Sequence, residues 1–282
     1  MIKVRIGIIG CGTIGSFVAQ KVDKELKPFS SIDALYDIEV SRAQQLFNEL
    51  SMKPRVLFKL REVFLNSDLV VECASKDVVG EVLKNALRYR VHTVIMSVGG
   101  MLGRESFLKD FLDEGLRLYI PSGAIGGLDV LKAVRHSTIK ELILTTYKPP
   151  QALTGAPYVI DNNIDLRSLK DDTVVFKGGV REAIEGFPQN INVAATIWLA
   201  SGMFKKMKIS IVASPILDKN IHHLLVRGEF GEVEFTCQNV PSSQNPKTSA
   251  LAFLSCFSTV KDAVEDILVI KKQQKLSSPN SS

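Results

Sequence analysis

KVRIGIIGCGTIG, residues 3–15, is the stretch that decides the fold. Lys3 to Ile9 is a compact apolar run that reads as a buried strand. It stops at Gly10, Gly12 and Gly15, and the helical pattern SFVAQKVDKEL follows. A strand, a glycine turn and a helix in immediate succession are the opening of an alternating α/β unit. The rest of the first 121 residues keeps that rhythm. Short apolar strands are expected at 32–37, 56–58, 69–75, 93–100 and 117–121, with helical patterns at 41–50, 61–65, 78–89 and 105–114 between them. Strands alternating with helices predict a parallel, doubly wound sheet.

The pattern changes after Pro121. SGAIGG (122–127) is a small-residue loop leading into a helix at 128–134, then a longer strand at 138–147 that Pro149-Pro150 ends. Residues 149–172 read as irregular, and VVFKGG, VREAIEGFP and a helix over 191–200, stopped by Gly202, come next. Long strands at 208–216, 222–230 and 232–240 suggest an open sheet and not a second doubly wound unit. Asn245-Pro246 reads as a helix start, with a cap and a first-turn proline, for an amphipathic helix to about 272. The expected fold class is therefore α/β: an N-terminal Rossmann doubly wound parallel sheet plus a second α+β domain with an open mixed sheet. The domains are expected at 1–121, completed by the C-terminal helix 245–272, and at 122–244.

Composition narrows the function classes. The 282 residues are 45% hydrophobic and 23% charged, with a formal net charge of +5. The basic residues are dispersed, which reads as a solvated surface with no nucleic-acid partner. No apolar run reaches the ~18 residues of a membrane span. The chain opens on a strand without a signal-peptide layout. Cys11, Cys73, Cys237 and Cys256 include no CxxC spacing, so no metal site is expected, and reduced thiols suit a cytoplasmic protein.

The glycine turn carries chemistry because of its setting. Gly10 permits the tight turn, Gly12 lets the backbone approach a pyrophosphate, and Gly15 lets the helix pack on the strand. The helix N-terminus, at Thr13 and Ile14, offers free N–H groups to phosphates. Asp37 ends the second strand about twenty residues beyond Gly15, where an acid accepts hydrogen bonds from the adenosine ribose. It would repel a 2′-phosphate, which favours NAD over NADP, although nearby Arg42 leaves NADP possible. Cys73-Ala74-Ser75 and Ser97-Val98 end two further strands, and ligands in open α/β sheets sit beyond such ends.

Hydride transfer also needs a proton acceptor, for which histidine suits neutral pH. Of the four histidines, His92 precedes a strand at the wrong end and His136 ends a helix, whereas His222 and His223 adjoin and must point to opposite faces of their strand. Asn190 and Asn192 open a helix and can cap it or bond a ligand. Cys73 can be a thiolate nucleophile or a small buried hydrophobe; without an adjacent base the second reading fits better.

Taken in order, GCGTIG, LYD (35–37), VECAS (71–75), SVGGM (97–101), IPSGAIGGLD (120–129), FPQNINVAA (187–195), NIHHLLVRGEFG (220–231) and NPKTSALA (245–252) resemble the L-aspartate dehydrogenases of NAD biosynthesis over nearly the whole chain. The resemblance implies oxidation of L-aspartate with NAD or NADP to iminoaspartate, which hydrolyses to oxaloacetate and ammonia or feeds quinolinate synthesis. It implies that Ala124 and Asn190 contact the cofactor, that His222 is the active-site residue, and that the protein is a homodimer. The family motif often has Glu after that histidine, where this chain has His223. The substrate's carboxylates need cationic donors, and Lys148, Lys177 and Lys247 are candidates. Two other readings compete: another two-domain oxidoreductase of the homoserine dehydrogenase or dihydrodipicolinate reductase type, and a non-catalytic NAD-binding regulatory protein.

Overall fold

The computed structural model describes residues 2–188, 191–202, 206–242 and 248–277. They form two compact units, residues 1–121 with 253–282, and residues 122–252.

In the first unit β1 (Val4–Ile9) leads through the glycine turn into α1 (Thr13–Lys21). Then follow β2 (Ser30–Tyr36), α2 (Val40–Glu49), β3 (Arg55–Val56), α3 (Leu60–Leu65), β4 (Leu69–Glu72), α4 (Val79–Tyr89), β5 (His92–Ile95), α5 (Ser106–Asp113) and β6 (Leu118–Tyr119). The sheet order is β3-β2-β1-β4-β5-β6 and every pairing is parallel. This is the doubly wound order whose ligand crevice lies where the chain reverses direction across the sheet, beside the C-terminal ends of β1 and β4. The strands are buried on both faces, so Ile6, Ile8, Ile9, Val70 and Val71 are all inaccessible.

The second unit runs α6 (Leu128–Val134), β7 (Ile139–Lys148), α7 (Pro157–Asp161), β8 (Thr173–Gly179), α8 (Val180–Gly186), α9 (Ile191–Ser201), β9 (Met207–Ala213), β10 (Asn220–Gly228) and β11 (Gly231–Asn239). Its sheet order is β11-β10-β7-β9-β8. β7 and β9 are parallel and the other pairings antiparallel, which makes the sheet mixed. One face is dry: Leu142, Leu144, Ile209, Ile211, Leu224 and Val226 pack with Leu131, Ala183, Ala194 and Ile197 from the helices. Tyr158, Phe176 and Phe187 close one end of that core, with ring centroids 5.1 to 5.5 Å apart. The other face alternates with it, and Ile143, Thr145, Tyr147, His223 and Leu225 are only half-buried there.

Several boundaries differ from the sequence reading: β4, β5 and β9 end earlier than expected, and the stretch 149–172, read as irregular, holds the short helix α7. Two differences bear on the site. β7 continues one residue past Tyr147 because Lys148 still pairs with Ala213, and its carbonyl accepts the Ser214 N–H at 2.8 Å. The double proline stops the chain after that bond is made. The last helix, α10 (Ala250–Ser277), begins later than residue 245. Ser249 is held instead by a bridge to Pro241 and by donating its hydroxyl to Asn239 Oδ1 at 2.9 Å. The expected cap and first-turn proline, Asn245 and Pro246, lie outside the described residues. α10 buries Phe253, Cys256, Val260, Ala263, Val264 and Ile267, a helical stripe that packs on the first unit's core. Phe253 meets Phe17 edge-on, and the Tyr119 hydroxyl donates to Asp266 at 3.0 Å.

Candidate active site

One candidate cluster, in the first unit, is the turn after β1. Gly10 sits at φ +89°, and a Cβ there would lie 2.6 to 2.7 Å from the backbone of Cys73 and Ala74. A Cβ on Gly15 would lie 1.9 Å from the Gly10 carbonyl oxygen. The fold itself thus demands both glycines. Gly12 is different: its φ is −74°, and a Cβ would meet nothing within 4 Å. Its missing side chain leaves open space in front of α1, whose first turn has no side-chain cap. Uncapped N–H groups facing open space fit a pyrophosphate. Thr13 and the apolar Ile14 are half-exposed at the same rim.

Asp37 follows β2 and is buried. Its carboxylate accepts the Cys11 N–H at 2.7 Å and the Glu39 N–H at 2.8 Å. The acid is therefore clamped against the glycine turn, with lone pairs left for ribose hydroxyls. Arg42 pairs with Glu39 at 2.9 Å on the exposed start of α2. Ile38, 89% exposed beside the acid, offers an apolar surface that the sequence reading did not single out.

The ends of β4 and β5 are tied by a residue the motifs did not flag. Glu72 is fully buried at the end of β4. Its carboxylate accepts the Ala74 N–H at 2.8 Å, the Ser97 N–H at 3.0 Å and the Ser97 hydroxyl at 2.8 Å. Burial pushes its carboxyl above the ordinary range, against the pull of these donors. The strap holds Ala74 and Ser75 at an exposed edge, while Val98 is buried in a short 3₁₀ turn. A buried acid inside LVVECAS reads as part of an apolar strand, so only the fold reveals its bonds. The Cys73 thiol shares a hydrogen bond with the free Cys256 thiol, and that contact together with burial holds its pKa far above the usual range. A reactive thiolate at Cys73 has no support. Cys11 is likewise pushed up to about 12 by burial and by Asp37.

A second candidate cluster lies in the other unit. Strand alternation separates the two adjoining imidazoles. His222 points into the dry face with Leu224 and Val226 and is 6% exposed. His223 points the other way, 3.6 Å from Glu234. His222 pairs across the ladder with Thr146, whose Oγ1 is 3.0 Å from Nδ1. Lys148, two residues further along β7, shares that face and is 8% exposed. Burial lowers the His222 pKa to about 4, helped by the Lys148 charge, and burial alone lowers that of Lys148 to about 8. Each displacement is worth roughly 3 kcal/mol against the charged form. Lys177 is exposed on β8, and Asn190 and Lys247 lie outside the described residues. Of the other histidines, His136 is exposed, and His92 accepts the Arg117 N–H at 3.0 Å at the start of β5, the sheet end opposite the glycine turn.

Ala124 lies in the turn after β6. Its carbonyl oxygen accepts from Asn239 Nδ2 at 3.0 Å, so the end of β11 anchors the SGAIGG loop. Among the described residues no cluster of three or more His, Cys, Asp or Glu could hold a metal, and no helix is long and apolar enough to cross a membrane.

Comparison with known proteins places this geometry. Residues 129–263 match the family described as aspartate dehydrogenase, C-terminal, and residues 10–121 match the NAD binding domain of homoserine dehydrogenase. The chain is 39% identical to an L-aspartate dehydrogenase of Methanococcoides burtonii, covering 94% of this chain and 99% of that one. It is 38% identical to one of Nitrosopumilus maritimus, covering 94% and 98%. The crystal structure of aspartate dehydrogenase from Thermotoga maritima superposes with a TM-score of 0.69 at 33% identity, covering 93% of this chain and 97% of that one.

Proposed function

Because this chain belongs to the L-aspartate dehydrogenase family, we propose that it is the enzyme that oxidises L-aspartate at Cα with a pyridine nucleotide, giving iminoaspartate. The second-unit match is to aspartate dehydrogenases, which argues against a homoserine dehydrogenase despite the description of the first-unit match. The observation that carries the reading within the molecule is the buried His222–Thr146 pair with Lys148 on one face.

The nucleotide, when bound, accepts two electrons and a hydrogen from the aspartate Cα. Gly12 and the α1 N-terminus would hold the pyrophosphate, and Asp37 the adenosine ribose, which favours NAD over NADP. Ile38 would pack against the base. Ala74, Ser75, Ser97 and Val98 would line the nicotinamide end, with Ala124 and Asn190 contributing from the second unit's sequence. His222 is the proton carrier. With Nδ1–H donating to Thr146 Oγ1, the Nε2 lone pair is free. It takes a proton from the substrate ammonium, so that the nitrogen lone pair can form the C=N bond as the Cα hydrogen leaves. After Nε2 has released that proton to solvent, water adds to the imine carbon as Nε2 takes the water's proton; Nε2 then returns it to the nitrogen, and collapse yields oxaloacetate and ammonia. A pKa of about 4 in the empty site suits a neutral base, and the substrate's two carboxylates raise it toward the working range. Four free thiols suit a cytoplasmic enzyme, and the half-buried face of the second sheet suits a homodimer.

The test is NADH absorbance at alkaline pH with L-aspartate, using NAD and NADP in parallel. Wild type should reduce the nucleotide, and His222→Ala should lose about 10³-fold in kcat while still binding NAD. Nucleotide binding without turnover of aspartate would sink the reading and favour the non-catalytic alternative.

A further inference from the structure

The charged groups of the second sheet are treated unequally. Arg227, exposed on the open face, is bonded to both Glu141 and Glu232. Lys148, buried on the closed face, has no carboxylate or other acceptor among the described residues. Elsewhere in the molecule a shielded lysine is paired, as Lys271 is with Asp68. An ammonium held out of water without a counter-charge is costly unless something that binds there supplies the charge.

Its position indicates what that is. β10 sets His222 opposite Thr146, and Lys148 lies on the same face of β7, two residues on. Diagonal neighbours of this kind are ~7–8 Å apart, the span of a small amino acid. The strand end is rigid, since the Lys148 carbonyl is bonded to the Ser214 N–H. We propose that Lys148 is the carboxylate anchor of the substrate subsite, its ammonium binding one carboxylate of aspartate while His222 serves the reacting nitrogen. This rests on the reading of the chain as an L-aspartate dehydrogenase. The anchor's other titratable neighbour on this face is His222, whose neutral state leaves the lysine the only cation of the pair between about pH 4 and about 8.

Lys148→Met and Lys148→Arg test the assignment, with thermal unfolding and NAD affinity as controls for folding. Lys148→Met should raise the KM for L-aspartate by about 100-fold, with a much smaller change in kcat and an unchanged NAD dissociation constant. Lys148→Arg should recover part of the loss. Calorimetric binding of succinate to the NAD complex supplies a second readout that needs no turnover: it should be seen with wild type and be lost in Lys148→Met. An unchanged aspartate KM overturns the anchor, and so does a loss confined to kcat, which would mark proton transfer instead. If wild type binds succinate through Lys148 but leaves aspartate unoxidised, the anchor stands and the aspartate reading falls.

Discussion

Asp37 and Glu72 in the first unit and Lys148 and His222 in the second are all buried ionisable groups at or near strand ends, yet their surroundings differ. Each acid in the first unit is met by at least two donors, mostly backbone N–H groups of the turns it holds. Those acids build the protein's own loops. In the second unit the imidazole has one partner and the ammonium none among the described residues. There the balance of charge is left open. One region is complete and waits to be filled; the other is destabilised until a counter-charge enters, which makes binding and protonation interdependent.

The largest effect that would sharpen this contrast comes from two glycines in the same turn. Gly15→Ala should destabilise the first unit by about 3 kcal/mol, because its Cβ would strike the Gly10 carbonyl. Gly12→Ala should leave the denaturation midpoint within about 0.5 kcal/mol of wild type but weaken NAD binding, read by fluorescence titration. Equal losses of stability in the two variants would show that the open space before α1 is structural and not reserved for a ligand.

His222 gives the next effect. Its folded pKa of about 4 lies below the ordinary 6.5, so between those values the unfolded chain binds the extra proton. Stability should therefore rise with pH across that window and be lost as pH falls, by about 3 kcal/mol in total. His222→Gln should flatten the urea-midpoint profile between pH 4 and 6.5. A profile identical to wild type would mean the imidazole is not held neutral.

Glu72→Gln comes third. An amide puts a donor where three donors already point, which should cost about 2 kcal/mol and raise the KM for NAD more than that for aspartate. Nucleotide kinetics indifferent to this change would remove the strap's role in shaping the cofactor edge. Smallest is Asp37→Ser, which should reduce the NAD-over-NADP preference in kcat/KM by about tenfold. A preference that survives would shift nucleotide choice away from the acid.

The two regions also differ in how far the chain alone discloses them. A glycine turn between a strand and a helix, followed by an acid at the end of the next strand, is a local pattern, and the alternation around it indicates a parallel sheet before any coordinate is known. Glu72 was hidden because an acid at the end of an apolar run carries no sign of the N–H groups that meet it from the neighbouring strand. The choice between His222 and His223 turned on which face α6, α8 and α9 cover, a property of the packed sheet. Lys148 was one of three equal candidates, and its place beyond the expected end of the strand concealed its burial.

By itself, then, the sequence determined the alternation of strands and helices in the first unit, the dinucleotide turn with Asp37, and the family through its string of short motifs, while the helix α7 inside the stretch read as irregular escaped it. These depend on neighbours a few residues apart and on the conformations glycine and proline impose. Tertiary structure alone decided which imidazole is buried, which lysine lacks a counter-charge, and which acid ties two loops together. Burial and pairing are set by strands distant in the chain meeting side by side, and the cost of a buried charge arises only once that packing has removed the water.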